Sequence, residues 1–153
     1  DLSKICKAGT VIVEELCGIY SFPQVHQMIS TISGEIKENL HWTDVLKATF
    51  PMGSMTGAPK RKVLELIEQY ENTKRGLYSG AIGYVTLQND FDFNVVIRSI
   101  FYNQNNKYLS YNVGSGITYY SDPEKEYEEC LLKMAAFTNI FCPKQKSKFS
   151  AIL

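Results

Sequence analysis

The chain has 153 residues, of which 44% are hydrophobic and 21% are charged. This composition supports a buried core and excludes a wholly disordered or collagen-like chain, and the length fits one compact unit or part of a larger one. Sixteen basic residues balance sixteen acidic ones, which disfavours a dedicated nucleic-acid binder. No apolar run approaches the roughly 18 residues of a membrane helix, so we expect a soluble protein without membrane contact.

The four cysteines are far apart and form no CxxC pair. Their spacing specifies neither a zinc site nor a disulfide framework. Buried free thiols of a cytoplasmic protein are the more common explanation of such a pattern. We expect this state for the four residues Cys6, Cys17, Cys130 and Cys142.

The start of the chain contains Gly9 and Gly18 and is predicted to be irregular. Apolar residues then recur at spacings of three and four positions from Val25 to Leu40. This periodicity predicts one apolar face of a helix that is entered after Pro23.

Two further helices are predicted before the middle of the chain, with a loop between them. A short helix is expected over residues 43–50. The segment PMGSMTGAPK, residues 51–60, contains two prolines and two glycines, which predicts a loop. Helical spacing resumes from Val63 to Tyr70.

From Gly80 the chain changes to β-branched and aromatic runs, AIGYVTLQ, FNVVIRSIFY and KYLSYNV, separated by turn residues. These runs predict a three-strand antiparallel meander. A last helix is expected from Asp122 to about Asn139, followed by a polar tail that we place at residues 141–153. Helices followed by adjacent antiparallel strands indicate the α+β class.

The last helix carries the most pointed chemical pattern. Glu126, Glu129 and Lys133 are three and four residues apart, so they project from one helical face. Two carboxylates one turn apart can bind a hard cation such as Mg²⁺, and the lysine can then bind an anionic ligand. The alternative is a solvated face with an ordinary i,i+4 ion pair, and spacing alone favours that alternative.

Arg98 is the only charged residue in the run FNVVIRSIFY. On a strand it would share one face with Val96 and Ile100, in a mostly buried position where a guanidinium needs an anionic partner. An internal ion pair or a position at a sheet edge explains it as well as a clamp on a ligand carboxylate does.

Two glycine-rich segments and one tyrosine could donate hydrogen bonds to an anion. Gly114-Ser115-Gly116 follows a predicted strand, and residues 53–57, GSMTG, precede a helix. A plain tight turn is the commoner explanation of the first, and the second lacks the ending of a Walker A loop. Tyr78 could offer a hydroxyl, although a core position is the default for a tyrosine.

Five segments in this order, FPMGSMTGAPK, RGLYSGAIGY, FNVVIRS, VGSGI and SDPEKEYEECLLK, resemble the C-terminal part of the chorismate-binding enzymes. The resemblance extends from Asp1 to about Asn139. It implies part of a layered α/β sandwich in which helices pack on a mainly antiparallel sheet, with residues 1–140 forming the C-terminal part of the catalytic domain. DFDFNVVIRS and EYEECLLK are most similar to the aminodeoxychorismate synthase component I branch.

The resemblance also implies site residues. Glu126 and Glu129 match the family's Mg²⁺ ligands, with the metal holding the ring carboxylate of chorismate and assisting loss of its C4 hydroxyl. Lys133 matches a lysine near the same carboxylate. The groups that match the binding site of the enolpyruvyl carboxylate and the pocket wall are Arg98, Tyr78, Gly114, Gly116, Thr56 and Gly57.

One position departs from the family pattern. The family has a histidine before an apolar pair and a serine, but in VHQMIS that place holds Gln27, and His26 is one residue earlier. On the predicted helix, neighbours point about 100° apart, so His26 cannot replace it. In the anthranilate branch this histidine is associated with pyruvate elimination, and its absence fits an enzyme that stops at aminodeoxychorismate.

The chain starts inside what resembles an internal family motif at Asp1-Leu2. The resemblance implies that a further Mg²⁺ glutamate and the nucleophilic lysine of the aminating branch lie upstream of this segment. We therefore expect the 153-residue chain alone to be catalytically silent. Unpaired sheet edges also predict low stability or self-association.

The function implied is Mg²⁺-dependent amination of chorismate to 4-amino-4-deoxychorismate in folate synthesis, with ammonia from a glutamine amidotransferase partner. Anthranilate synthase component I and isochorismate synthase are the alternatives within the family. The alternative from another class is a non-catalytic binding domain in which the acidic helix is a solvated face.

Overall fold

The computed structural model describes residues 1–22 and 26–141, and the chain forms two compact units, Asp1–Phe50 and the part from Pro51 onward. The predicted tail, apart from its first residue, lies outside the described residues, as do Cys142, Pro23 and Val25. Cys6 and Cys130 are buried free thiols, as expected, whereas Cys17 is exposed. No helix of the described ranges is both long enough and apolar enough to cross a membrane.

The first unit is built around a two-stranded antiparallel hairpin. Its elements are α1 (Leu2–Ile5), β1 (Ile12–Ser21), β2 (His26–Ser33) and α2 (Trp42–Thr49). The strands pair from Ile12 opposite Ser33 to Ser21 opposite His26, with two irregularities in β1. The buried apolar residues of this unit are Ile5, Cys6 and Val45.

The predictions of an irregular start and of a helix after Pro23 are wrong, because β1 and β2 occupy these segments. Apolar residues lie on both faces of β2, where Met28, Ile29 and Ile32 are all exposed. Their spacing therefore resembles a helical period by coincidence. The β-branched side chains of residues 29–33, ISTIS, favour a strand once a partner strand is available. The periodicity of β2 alone does not reveal that β1 is this partner.

The predicted helices on either side of the glycine-rich loop are confirmed. In α2, the side chain of His41 accepts from the Thr43 amide, and the Asp44 carboxylate accepts from the His41 amide at 3.0 Å, which closes a capping box. The second unit begins with the short helix α3 (Gly53–Thr56), inside the predicted loop, and continues with α4 (Lys60–Tyr70).

The predicted three-strand meander is wrong, because the strand region forms two separate antiparallel hairpins. They are β3 (Ala81–Val85) with β4 (Phe91–Val95), and β5 (Ile100–Asn103) with β6 (Tyr108–Tyr111). The run FNVVIRSIFY is interrupted at Arg98, whose φ of 51° is left-handed. Strand backbone requires strongly negative φ, so the chain breaks into two strands at this residue.

The last helix, α5 (Pro123–Phe141), is confirmed. Asp122 Oδ1 accepts hydrogen bonds of 3.1 Å from the amides of Glu124 and Lys125, so it caps the helix before a proline at the first position. Helices together with antiparallel hairpins make this an α+β chain, as predicted. The apolar core beside α5 contains Val113, Cys130 and Met134, with Tyr111 packed against it.

Candidate functional site

The polar face of α5 carries the predicted triplet, and one of its members reaches the glycine-rich loop. Lys133 Nζ lies 2.6 Å from Glu129 Oε1 and donates a hydrogen bond of 2.8 Å to the Gly114 carbonyl. The Lys133 side chain is 28% exposed and that of Glu129 is 50% exposed. The lysine therefore does more than form a solvated i,i+4 pair, because it joins α5 to the loop that follows β6.

The Tyr78 hydroxyl lies against the backbone of the same glycine. A methyl group built on Gly114 would come within 2.8 Å of Tyr78 Oη, so this approach requires glycine. Burial raises the pKa of Tyr78 above its usual 10.0, while the nearby Arg75 guanidinium acts in the opposite direction. A phenol is protonated at neutral pH even at its usual pKa, so Tyr78 can donate to an anion. Around Gly116, by contrast, an added methyl group would meet nothing within 4 Å.

The Glu126 carboxylate is stabilised in its ionised form by two serines. Hydrogen bonds to Ser121 and, to a smaller extent, to Ser115 lower the pKa of Glu126 below its usual 4.5. The charge of Lys133 lowers this pKa further. Desolvation raises this pKa and is a larger effect than the Lys133 charge, but the two hydrogen bonds outweigh it. Because Ser115 belongs to the Gly-Ser-Gly segment, this carboxylate lies next to the same loop that Lys133 and Tyr78 contact.

Arg98 is not where the sequence predicted it. Instead of a mostly buried position on a strand, it occupies an exposed bend between β4 and β5. Its charge lowers the pKa of Tyr111, although burial is the larger effect and raises that pKa. The Tyr111 hydroxyl donates a hydrogen bond of 3.2 Å to the Lys133 carbonyl. Arg98 is thus close to the end of β6, which packs on α5.

Thr56 and Gly57 form the end of α3. The Thr56 hydroxyl donates to the Met52 carbonyl at 3.1 Å, and Gly57, with φ of 105°, ends the helix by donating to the Gly53 carbonyl. The positive φ explains why glycine is used here. The Thr56–Gly57 turn is connected to the Tyr78 region through Arg75, which donates to the Met55 carbonyl at 2.8 Å.

Sequence reasoning missed three polar residues that support this cluster, Glu71, Arg75 and Ser121, and it considered the segment of Ser115 without a role for the serine hydroxyl. The only signal for the first two is the spacing of four residues between an acidic and a basic side chain. The chain contains several such spacings, so this signal did not stand out from the others.

Gln27 belongs to the first unit, whereas all the contacts above lie within the second. It is on β2, opposite Tyr20, and the neighbouring His26 is opposite Ser21, whose Oγ lies 3.0 Å from His26 Nδ1. The helical argument about these two residues is wrong in its geometry, because side chains alternate between the two faces of a strand. His26 and Gln27 therefore face opposite sides.

Few side chains at the start of α5 could bind a metal ion. Among the described residues, no group of three or more His, Cys, Asp or Glu side chains is arranged to hold a metal ion. Mg²⁺ usually retains several waters and takes one or two carboxylates together with oxygens of an anionic substrate. Glu126 and Glu129, one helical turn apart, fit that kind of site and would leave most positions to water and substrate.

Comparison with known sequences agrees with the resemblance described above. The profile of a family described as chorismate binding enzyme matches residues 1–139, the range that the sequence predicted. Aminodeoxychorismate synthase of Arabidopsis thaliana is 41% identical over 149 residues, which are 95% of this chain and 16% of that protein. Component 1 of the Salmonella typhimurium enzyme is 38% identical over 88% of this chain and 29% of that protein.

Anthranilate synthases are similar to this chain to about the same extent. Anthranilate synthase component 1 of Aquifex aeolicus is 38% identical over 89% of this chain and 27% of that protein. The solved structure of anthranilate synthase component I from Streptococcus pneumoniae matches with a TM-score of 0.74 and 32% identity, over 89% of this chain and 31% of that one. The chain therefore spans less than a third of the length of each of these relatives.

Proposed function

Because this chain belongs to the family of chorismate-binding enzymes, we propose that it contributes a substrate-binding and Mg²⁺-binding part of an enzyme that aminates chorismate. The product is 4-amino-4-deoxychorismate, and ammonia comes from a glutamine amidotransferase partner. The similarity to proteins named aminodeoxychorismate synthase supports this proposal. Since the chain spans under a third of those proteins, the activity is proposed for the complete polypeptide that carries these residues.

The convergence of three groups at one loop supports this proposal most directly. The Tyr78 hydroxyl lies against Gly114, the Lys133 ammonium binds the Gly114 carbonyl, and the ionised Glu126 lies beside Ser115 in the same loop. Chorismate is a dianion, so a site for it needs cationic groups and hydrogen-bond donors in fixed positions.

Each residue has a distinct part in this proposal. Tyr78 and Arg98 donate to the enolpyruvyl carboxylate, and Lys133 neutralises the ring carboxylate. Glu126 and Glu129 would hold Mg²⁺, which when bound polarises the ring carboxylate and assists departure of the C4 hydroxyl. The low pKa of Glu126 keeps that ligand ionised without the metal.

Formation of anthranilate is the second candidate, since an anthranilate synthase component 1 is 38% identical to this chain and the matching solved structure is of the same kind. The departure at Gln27 favours amination without pyruvate elimination. On a strand, His26 lies on the opposite face from Gln27, so it does not supply the histidine that the anthranilate branch uses.

The test is to incubate the complete polypeptide with chorismate, an ammonium salt and Mg²⁺ and to identify the product by chromatography and mass. We expect aminodeoxychorismate and no anthranilate. In the double variant Glu126→Gln/Glu129→Gln we expect Mg²⁺-dependent turnover to fall by about a hundredfold or more. Glu128→Gln, on the same helix but outside the triplet, is the matched control and should retain activity.

Anthranilate or isochorismate as the product would overturn the assignment to the amination branch. Near-normal Mg²⁺-dependent turnover of the Glu126→Gln/Glu129→Gln variant would overturn the metal-binding role and favour a solvated face. Absence of any conversion or binding of chorismate by the complete polypeptide would favour a non-catalytic domain.

A further inference from the structure

Arg75 lies at the centre of a hydrogen-bond network that the proposed chemistry does not use. Its Nε donates to Glu71 Oε1 at 3.1 Å and to Oε2 at 2.9 Å, and its Nη2 donates to Oε1 at 2.6 Å. Its Nη1 donates to the Met55 carbonyl at 2.8 Å and to Ser79 Oγ at 3.1 Å. A planar guanidinium is suited to serve several acceptors at once.

This pair differs from an ordinary surface ion pair on the same part of the chain. The side chains of Arg75 and Glu71 are 23% and 14% exposed. Arg61 and Glu65 on α4 have the same i,i+4 spacing, but their closest atoms are 3.8 Å apart and the side chains are 96% and 56% exposed. Partly buried, charge-assisted hydrogen bonds contribute more than exposed pairs do, so the two pairs are a matched comparison.

The acceptors of Arg75 belong to the two turns that carry predicted site residues. Met55 directly precedes Thr56 and Gly57, and Ser79 directly follows Tyr78. Ser79 is 6% exposed, and its amide donates to the Val96 carbonyl at 2.9 Å. Because a buried hydroxyl needs a partner, the bond from Arg75 helps to keep this turn in place.

The backbone places Arg75 close to Tyr78 as well. The Tyr78 amide donates to the Arg75 carbonyl at 3.0 Å, which closes the turn between them. Arg75 therefore contacts the Tyr78 turn through its main chain and its side chain, and it contacts the Thr56–Gly57 turn through its side chain. Glu71 holds the guanidinium in the one orientation that serves both turns.

We propose that Arg75, oriented by Glu71, is a positioning residue that sets the Thr56–Gly57 turn relative to the Tyr78 hydroxyl and thereby the affinity for chorismate. The part that concerns chorismate rests on the proposed function. Arg75 has no direct contact with the substrate in this proposal. Its role is carried by the hydrogen bonds that the guanidinium donates to the Met55 carbonyl and to Ser79 Oγ while it is paired with Glu71.

The test is a charge exchange in the complete polypeptide. In Glu71→Arg/Arg75→Glu the ion pair can re-form, but a carboxylate at position 75 cannot donate to the Met55 carbonyl. We expect the exchange to recover most of the thermal stability that Arg75→Gln loses, while KM for chorismate stays raised about tenfold or more and kcat changes less. The exchange Arg61→Glu/Glu65→Arg is the control and should change neither constant.

Hydrogen exchange provides a readout that does not depend on chorismate. The variants Arg75→Gln and Glu71→Arg/Arg75→Glu should both speed amide hydrogen exchange in peptides covering residues 53–57 and 76–80. The control Arg61→Glu/Glu65→Arg should leave these hydrogen-exchange rates unchanged. Unchanged protection of both peptides would overturn the positioning role, and so would recovery of wild-type KM by the charge exchange. If the wild-type protein does not bind chorismate, the proposed function fails. The hydrogen-exchange rates still decide whether Arg75 couples the two turns.

Discussion

At Gly114 the lack of a side chain allows the Tyr78 hydroxyl and the Lys133 ammonium to meet at one peptide unit. The carbonyl of Gly114 accepts from Lys133 at 2.8 Å, and its Cα faces Tyr78 Oη. The neighbouring Gly116 has open space where its side chain would be. The two glycines of the Gly-Ser-Gly segment therefore have different roles, although the sequence placed both in the site for the same reason.

Gly114→Ala should destabilise the protein by about 1–3 kcal/mol, because the new methyl group must displace the Tyr78 ring or the loop. The double variant Gly114→Ala/Tyr78→Phe should recover most of this loss, since the next atom, Tyr78 Cζ, would be 3.9 Å from the methyl group. Gly116→Ala is the control and should change the free energy of unfolding by less than about 0.5 kcal/mol. Denaturant unfolding of the complete polypeptide measures all three, and equal losses at the two glycines would contradict this account.

Among single residues, the sequence predicted those whose role follows from local spacing. The Glu129–Lys133 ion pair belonged to the alternative of a solvated helical face, since i,i+4 neighbours on a helix are adjacent, and it is present at 2.6 Å. Burial of Arg98 was not borne out. Its left-handed backbone, with φ of 51°, is not implied by an arginine within an apolar run.

The hairpin β5–β6 packs on α5 through an aromatic stack. The rings of Tyr111 and Phe137 have centroids 5.0 Å apart and are nearly parallel, and the Phe141 ring also stacks on Phe137, with centroids 4.9 Å apart. Phe137 is 9% exposed. Since Lys133 is one turn before it on α5, this packing also holds the lysine beside the loop that contains Gly114.

Phe137→Ala should cost about 3–5 kcal/mol of unfolding free energy, because it removes a buried ring that contacts both elements. Ile140→Ala removes a large side chain from the same helix at a position that is 70% exposed, and it should cost less than about 1 kcal/mol. Guanidinium unfolding measures both. A loss for Phe137→Ala no greater than that for Ile140→Ala would show that the stack does not fix α5.

At the scale of the whole molecule, the hairpin of β1 and β2 has many solvent-exposed apolar side chains. No described residue of β1 or β2 is buried, and Leu16, Ile19 and Met28 are 74%, 68% and 60% exposed. Contiguous exposed apolar surface and unpaired strand edges promote association. The described residues of β1 and β2 therefore leave apolar surface in contact with water.

We expect the purified 153-residue chain to self-associate and to bind a hydrophobic dye. The variant Leu16→Lys/Ile19→Lys should associate less, because it introduces charges into the exposed surface of β1. Leu87→Lys, at a turn residue that is 98% exposed, is the control and should behave like the wild-type chain. Sedimentation velocity over a range of concentrations is the measurement, and a monomer without dye binding would contradict the prediction.

The sequence by itself determined the features of this protein that depend on near neighbours in the chain. These are α2, α4 and α5, the start of α5 at Asp122-Pro123, and the shared face of Glu126, Glu129 and Lys133. It also determined the α+β class and the family to which residues 1–139 belong. All of these follow from spacings of a few residues or from short motifs in a fixed order.

The tertiary structure alone decided everything that depends on distant partners. Residues 26–33 form a strand because β1 pairs with them, and apolar spacing could not reveal that partner. The contact of Tyr78 with Gly114 spans 36 positions, and that of Arg75 with Met55 spans 20. Such contacts are specific because the packing of whole elements, rather than local propensity, determines which buried donors and acceptors meet.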